Sequence, residues 1–597
     1  MREAALASGL SITGAGETLP VPAPSLKGDD VGNPAGASTS VRTRRIREFA
    51  RDVLGFPTFR PGQEEAMQAV VAGRDTLAVL PSGAGKTAVY QVAGHLLAGP
   101  VVVVSPLIAL QRDQVDRLDE LGEDAGNDVG TAAQLNSSLS AGDQREVLEE
   151  VGDGSVRYLF LAPEQLAKPE VVDAIAEAGP ALFVVDEAHC VSAWGHDFRP
   201  EYLRLGGVIE QLGHPTVLAL TATAAPPVRA EIVERLGMRD PEVIVAGFDR
   251  PEIRLEVAPF ADEHGKDQAV VDRVLGEIGD GRGPGIVYSA TRKGTEQVAA
   301  ALVDHGLRSR AYHAGLSRAG REDTQRAWMD DELDVVVATT AFGMGIDKPG
   351  TRFVIHAEPA DSLDSYYQEI GRAGRDGRPA LALLVYRQED LGLRRFFAAG
   401  TPAEEELQQV AGLVQAAAAA GIADGVDVRA LREETGLGAT TLARDLNLLA
   451  QVEAVVLDEE GGAHPAPAAP SPAQAAAAAR GLAEQHERMD QSRVEMMRGY
   501  AETTDCRRQF LLGYFGEQLD RPCGNCDTCE DGTAYEDAGP ADDTPFPVGT
   551  PVEHREWGPG AVMRVEDDRL VVLFEEVGYK TLGLAAVVEH DLLTTRG

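Results

Sequence analysis

The apolar run Leu182-Phe183-Val184-Val185 ends on two adjacent carboxylates, Asp186 and Glu187. A strand without a polar face must be covered on both sides, so it belongs inside a parallel sheet. The carboxyl edge of such a sheet is where ligand-binding groups gather. Upstream, Pro81-Ser82-Gly83-Ala84-Gly85-Lys86-Thr87 follows another apolar run, 76–80. Glycines free backbone N–H groups to face a β-phosphate, and the helix that opens at Thr87 adds its dipole. Lys86 brings a charge to the β- and γ-phosphates, and Thr87 offers magnesium a hydroxyl. Leu80 stands where the strict phosphate-loop pattern has its first glycine. Asp186 is the residue expected to hold magnesium through water, and Glu187 to orient and deprotonate an attacking water. Each half has a bland alternative, a glycine turn or a polar strand cap. Together they read as a nucleotide triphosphatase.

The rest of the chain is organised around that pair. Apolar runs at 77–80, 101–104, 158–161, 182–185 and 217–220 alternate with helical stretches, and a second series follows at 286–288, 335–338, 353–355 and 381–386. The spacing predicts two parallel-sheet α/β lobes, 41–245 and 246–397. Residues 1–40, rich in Gly, Pro, Ser and Ala, are expected to be disordered. Three helices and a short hairpin suggest a winged-helix-like domain at 398–462. An Ala/Pro linker at 463–480 that turns helical at its end, a helical cysteine element at 481–530 and an acidic linker at 531–546 follow. A small β-barrel is expected at 547–597.

Bulk properties narrow the classes. The balance of 55 basic and 95 acidic side chains gives a net charge of −40, which argues against polyanion binding by the whole surface. A local basic track would still suffice for nucleic acid. No apolar run reaches the ~18 residues of a membrane span, and Glu3 interrupts any leader pattern, so cytoplasmic residence is the expectation. Four of five cysteines fall within 24 residues, Cys506, Cys523, Cys526 and Cys529, separated by 16, 2 and 2 residues. That clustering suits a tetrahedral, structural zinc in a reducing compartment, with an iron–sulfur cluster as the rival. Cys190 is left over and is read as a buried thiol.

Transition-state charge on a γ-phosphate needs a cation. Gln368-Glu369-Ile370-Gly371-Arg372-Ala373-Gly374-Arg375 carries two arginines three residues apart in the second lobe, either as a finger or as a structural surface pair. A finger from the opposite lobe would make catalysis depend on closure. Cys190-Val191-Ser192-Ala193-Trp194-Gly195-His196-Asp197-Phe198-Arg199-Pro200-Glu201-Tyr202 follows Glu187 and reads as a base-stacking platform built on Trp194, Phe198 and Tyr202, with His196 and Arg199 beside them. A Trp-anchored core loop is the alternative. In the winged-helix segment, Thr440, Thr441, Arg444 and Asn447 lie at helical spacing suited to phosphate contacts, or to simple packing.

In this order the motifs resemble the RecQ family of superfamily 2 helicases, over roughly 44–397. Phe59-Arg60-Pro61-Gly62-Gln63 resembles that family's adenine-reading motif, 105–114 its DNA-contacting segment, Thr221-Ala222-Thr223 its coupling motif and 340–347 its interlobe motif. The resemblance implies two tandem RecA-like lobes, ATP with magnesium, and 3′→5′ movement on DNA in repair or recombination. It implies catalytic roles for Lys86, Asp186, Glu187, His189, Arg372 and Arg375, with Arg375 the finger. It implies nucleotide contacts from Arg60, Gln63, Ser82, Gly83, Gly85, Lys86, Thr87 and Asp347, and DNA contacts from the aromatic-rich loop. Ala193 stands where the family carries glutamine, which implies weaker coupling. The cysteine spacing matches the family's zinc element, although here the winged helix precedes it. The tail from Val552 resembles the Tudor-like barrel of UvrD/PcrA-type helicases, which implies contact with RNA polymerase; a barrel packed on the motor is the alternative. The expectation is a monomeric DNA helicase acting on single-stranded and duplex DNA. The rivals are an ATPase remodelling RNA–protein complexes and an adaptor with a slow ATPase switch.

Overall fold

The computed structural model describes residues 39–106, 108–124, 131–136, 139–192, 199–343, 348–392, 400–421, 425–457, 462–535, 545–566 and 569–596. All but the last two residues of the expected disordered segment, and 536–544 of the acidic linker, lie outside them.

The first lobe is built from β1 (Thr76–Val79), β2 (Val101–Val104), β3 (Thr131–Leu135), β4 (Val156–Leu161), β5 (Leu182–Val185), β6 (Thr216–Thr221) and β7 (Glu242–Val245). Their order is β3-β4-β2-β5-β6-β1-β7, parallel throughout. Every residue of β1, β2 and β5 is buried, as continuous apolar strands between helical layers must be. The second lobe carries β8 (Ile253–Pro259), β9 (Gly285–Tyr288), β10 (Ser309–Tyr312), β11 (Val335–Ala338), β12 (Phe353–His356) and β13 (Ala380–Tyr386). Its order is β10-β11-β9-β12-β13-β8, again parallel.

A helix Glu404–Ala419, strand β14 (Val426–Asp427), helices Val428–Thr435 and Ala439–Gln451, and the antiparallel pair β15 (Val455–Leu457) and β16 (Gly462–Pro465) come next, in winged-helix order. The segment 463–480 is not a linker. Its start is strand β16, and Pro472 opens the helix Pro472–Glu502, capped by a reciprocal Ser471–Gln474 pair. Ala475, Ala476 and Ala479 are fully buried in the same cluster as Leu407, Val410, Leu442 and Leu446. Alanine is the best helix former and small enough to let two helices approach closely, so composition alone was a poor guide there.

The last element is a five-stranded antiparallel sheet of β17 (Pro551–His554), β18 (Gly558–Glu566), β19 (Arg569–Phe574), β20 (Gly578–Gly583) and β21 (Leu593–Thr595), in the order β20-β19-β18-β17-β21. It is docked on the rest of the chain. Tyr579 stacks on Tyr514 with ring centroids 4.8 Å apart. Arg564 pairs with Asp505 at 3.0 Å and lies 4.3 Å above the Phe510 ring. One continuous apolar cluster runs from Leu77 in the first lobe through Trp328 and Tyr366 in the second to Phe515 and Tyr579.

Candidate active site and metal centre

The carboxyl ends of β1 and β5 deliver the two halves of the phosphate site to one edge of the first sheet. After β1 the chain turns through Gly83 (φ 76°) and Gly85 (φ 72°), and the helix Lys86–Leu96 starts at once. Both φ values lie in the left-handed region that glycine enters freely. Gln63 is buried and holds this loop: its Nε2 donates to the carbonyls of Ala84 (2.7 Å) and Gly85 (3.0 Å), while its Oε1 accepts from Arg60 N (2.8 Å). In this state Gln63 ties the loop rather than facing an open base pocket, and Arg60 is exposed.

Asp186 follows β5. Its backbone N–H donates to Val104 O at 2.9 Å, and Ser105 Oγ lies 3.5 Å from its carboxylate. Burial, then the neighbouring Glu187, push its carboxyl up to about 7, while the Lys86 ammonium pulls the other way. Glu187 sits at φ 47°, an uncommon place for a side chain with a Cβ. Strain of this kind persists where the surroundings enforce it, as at active sites. Its Oε2 is buried and accepts no hydrogen bond; His189 Nδ1 is 3.4 Å away. That orphaned oxygen fits the place where an attacking water would be held.

A hydrogen-bonded path starts at His189, next to this oxygen. His189 Nδ1 is 3.0 Å from Thr221 Oγ1, whose own proton goes to Thr223 O at 3.0 Å, so Nδ1 is the donor. Gln368 Nε2, from the second lobe, then donates to Thr223 Oγ1 at 3.2 Å. Gln368 carried no role in the sequence reading. Its signal was its position, four residues before Arg372 in the same motif.

The two arginines differ. Arg372 is buried and donates to Gly343 O within its own lobe. Arg375 crosses to the first lobe: a Cβ built on Gly83 would meet its Cγ at 3.1 Å and its Cδ at 3.2 Å. A Cβ on Gly371 would meet Ser82 Cβ at 3.2 Å, so the lobes touch glycine against side chain.

The nucleic-acid residues are only partly brought together. Trp194, His196, Phe198 and Asp347 lie outside the described residues. Arg199 is half-buried beside Pro106 O, at 3.5 Å. Tyr202 is fully buried and donates its hydroxyl to Asp186 O at 3.2 Å, which corrects its assignment as a stacking residue. A ring inside the core cannot meet a base; the residues after Pro200 form a 3-10 turn that packs inward. Arg444 is bound to Gly400 O (2.8 Å) and to the Asp445 carboxylate (2.8 Å), so its charge is already matched within the chain.

The ligand sulfurs of Cys506, Cys523, Cys526 and Cys529 all lie within 4.8 Å of one another. Tetrahedral zinc with bonds of about 2.3 Å would place sulfurs about 3.8 Å apart, so a small contraction completes the site. Backbone N–H groups of Cys523 and Asn525 donate to Cys506 Sγ (3.2 Å) and Cys523 Sγ (3.3 Å), the support thiolates need.

Two parallel-sheet lobes meeting over one phosphate loop define a nucleotide-driven motor of the superfamily 2 helicase type. A DEAD/DEAH box helicase model matches residues 60–231, a helicase conserved C-terminal domain model 268–377, and a RecQ zinc-binding model 474–530. The chain is 39% identical over 351 residues to the probable ATP-dependent DNA helicase RecS of Bacillus subtilis, covering 59% of this chain and 68% of that protein. It is 34% identical over 491 residues to the ATP-dependent DNA helicase RecQ of Pasteurella multocida, covering 81% of this chain and 63% of that protein. The solved DEAD-box helicase Mss116 bound to ssRNA and UDP-BeF shares the fold, at TM-score 0.50, 15% identity, 68% of this chain and 88% of that one. The chain belongs to the RecQ family. Its four cysteines are that family's zinc site, structural because no coordination position is left open.

Proposed function

We propose that the chain is an ATP-dependent DNA helicase that steps 3′→5′ along one strand and separates duplex DNA. The observation that carries this is the path from the Glu187 carboxylate through His189, Thr221 and Thr223 to Gln368 of the other lobe. It links the water-orienting group to lobe position, which a translocating ATPase requires and a simple hydrolase does not.

Lys86 and the glycine loop bind the phosphates, Thr87 and Asp186 would hold magnesium, and bound magnesium would neutralise phosphate charge as the γ-phosphoryl departs. Glu187 orients and deprotonates water. Arg375 reaches the loop from the second lobe and stabilises developing charge, so hydrolysis follows closure. Relatives at or above 30% identity bear the names of DNA helicases, which disfavours the RNA-remodelling and adaptor readings. Single-stranded and duplex DNA are the proposed substrates, in repair or recombination. A partner such as RNA polymerase at 547–597 remains part of the proposal.

The test is strand separation of a forked duplex with ATP, beside ATPase rates with and without single-stranded DNA. Unwinding that disappears in Lys86→Ala supports the reading. Hydrolysis indifferent to DNA overturns it.

A further inference from the structure

The segment between the lobes, residues 246–252, holds an arginine that touches both halves of the catalytic site. Arg250 lies between β7 and β8 with 14% of its side chain exposed. Its Nη1 donates to Ser82 O of the glycine loop at 3.2 Å and to Gly371 O at 3.3 Å. Its Nη2 donates to Ala373 O at 3.0 Å, and its Nε to the Glu252 carboxylate. One guanidinium therefore gathers a carbonyl from the first lobe, two from the second and a carboxylate from the connector itself.

The surroundings make this fork specific. Gly371 O also accepts from Arg375 Nε at 3.3 Å, so Arg250 and the finger share one acceptor. Gly374 has φ 65°, and a Cβ there would meet Glu252 Cγ at 2.9 Å. Arg250 and Glu252 thus bracket the turn that presents Arg375. A lysine could not replace the fork, because its three donors radiate from a single point.

We propose that Arg250 is an interlobe positioning residue, which sets Arg375 relative to the glycine loop by joining Ser82 O to Gly371 O and Ala373 O. It touches no phosphate itself. Movement of Ser82 on nucleotide binding would be passed to the Gly371–Ala373 turn through one rigid plane. The inference rests on the nucleotide-hydrolysis reading of the site, and it predicts a defect in turnover rather than in nucleotide binding.

The experiment compares the full chain with Arg250→Lys, Arg375→Ala and the double variant, measuring kcat and KM for ATP at saturating single-stranded DNA. Melting temperature and zinc content report the fold. Misplacement of a reacting group by about 1 Å costs roughly 10²-fold, so Arg250→Lys is expected to lower kcat by about that factor. KM should stay within about threefold, since ground-state binding is untouched. If Arg250 acts through Arg375, the double variant will be no slower than Arg375→Ala alone. A full kcat in Arg250→Lys overturns the inference, as does a double variant slower by the whole Arg250 factor. Should Arg250→Lys not fold, Glu252→Gln carries the same test: lower kcat at constant KM supports the assignment, and unchanged kcat overturns it. A parent chain whose hydrolysis ignores single-stranded DNA would instead remove the helicase reading beneath it.

Discussion

Tyr202 commits its hydroxyl to the carbonyl of Asp186 and its ring to the core. Chemistry at a residue is read from its type, but its direction is set by the fold. Tyr202 looked like a base platform because it ends an aromatic-rich stretch; the three-residue periodicity of the 3-10 turn points it inward instead. Tyr202→Phe should leave single-stranded DNA affinity unchanged in an anisotropy titration. It should cost about 1 kcal/mol of stability for the lost donor, visible as a lower melting temperature. A loss of DNA affinity at full stability would restore the stacking role. Lys86, Asp186 and Glu187 were legible because each follows a buried strand, where the direction is fixed. The grip of Gln63 on Ala84 and Gly85 was not legible, since backbone acceptors leave no mark in the sequence.

Strands with two buried faces were the most readable elements: 101–104, 182–185 and 335–338 coincide with β2, β5 and β11. Those with a polar or exposed face escaped. β7 alternates half-buried and exposed residues, and β8 alternates buried with half-buried ones, so neither gives an unbroken apolar run. The Ala-rich start of Pro472–Glu502 was legible only as the helical end of a linker, because alanine serves both core and surface and shows no period. The cysteine element shows how a local motif acquires wider duty. Beside the knuckle, Asn525 donates to Pro251 O at 2.9 Å, Asp527 accepts from Val257 N at 2.9 Å and Arg508 pairs with Asp249 at 2.7 Å. The contacts to Pro251 and Asp249 grip the connector between the lobes, and the one to Val257 grips β8 beside it. Zinc analysis should find one metal per chain, and Cys526→Ser should abolish it. Because structural sites of this type contribute on the order of 10–16 kcal/mol in peptides, limited proteolysis should then cleave within 503–530. A metal-free chain of undiminished protease resistance would contradict a structural role.

Across the whole molecule, the sequence divided the chain into consecutive modules, while the structure fuses them. The C-terminal sheet places Tyr579 on Tyr514, and the Tyr514 hydroxyl donates to Asp364 of the second lobe. Gly578 admits Ser492 of the long helix where a Cβ would clash at 2.1 Å. Such long-range packing has no local signature. Removing residues 545–597 should lower the melting temperature of the remaining chain, since Phe510 and Tyr514 lose their cover and Asp505 loses its partner Arg564. Identical melting of the two proteins would show the sheet to be a passive appendage. The long helix offers one more consequence. It meets the second lobe at its end, through Tyr500 on Tyr366 and Glu502 on Tyr386, and near its start packs into the apolar cluster of Leu407, Val410 and Leu442. Its 31 residues make a rod, and at a rise of about 1.5 Å each a tilt of about 10° at the anchored end sweeps the far tip by about 8 Å. Small rotations of the motor would thus become nucleotide-sized excursions at the periphery, as an oar magnifies the turn of a wrist.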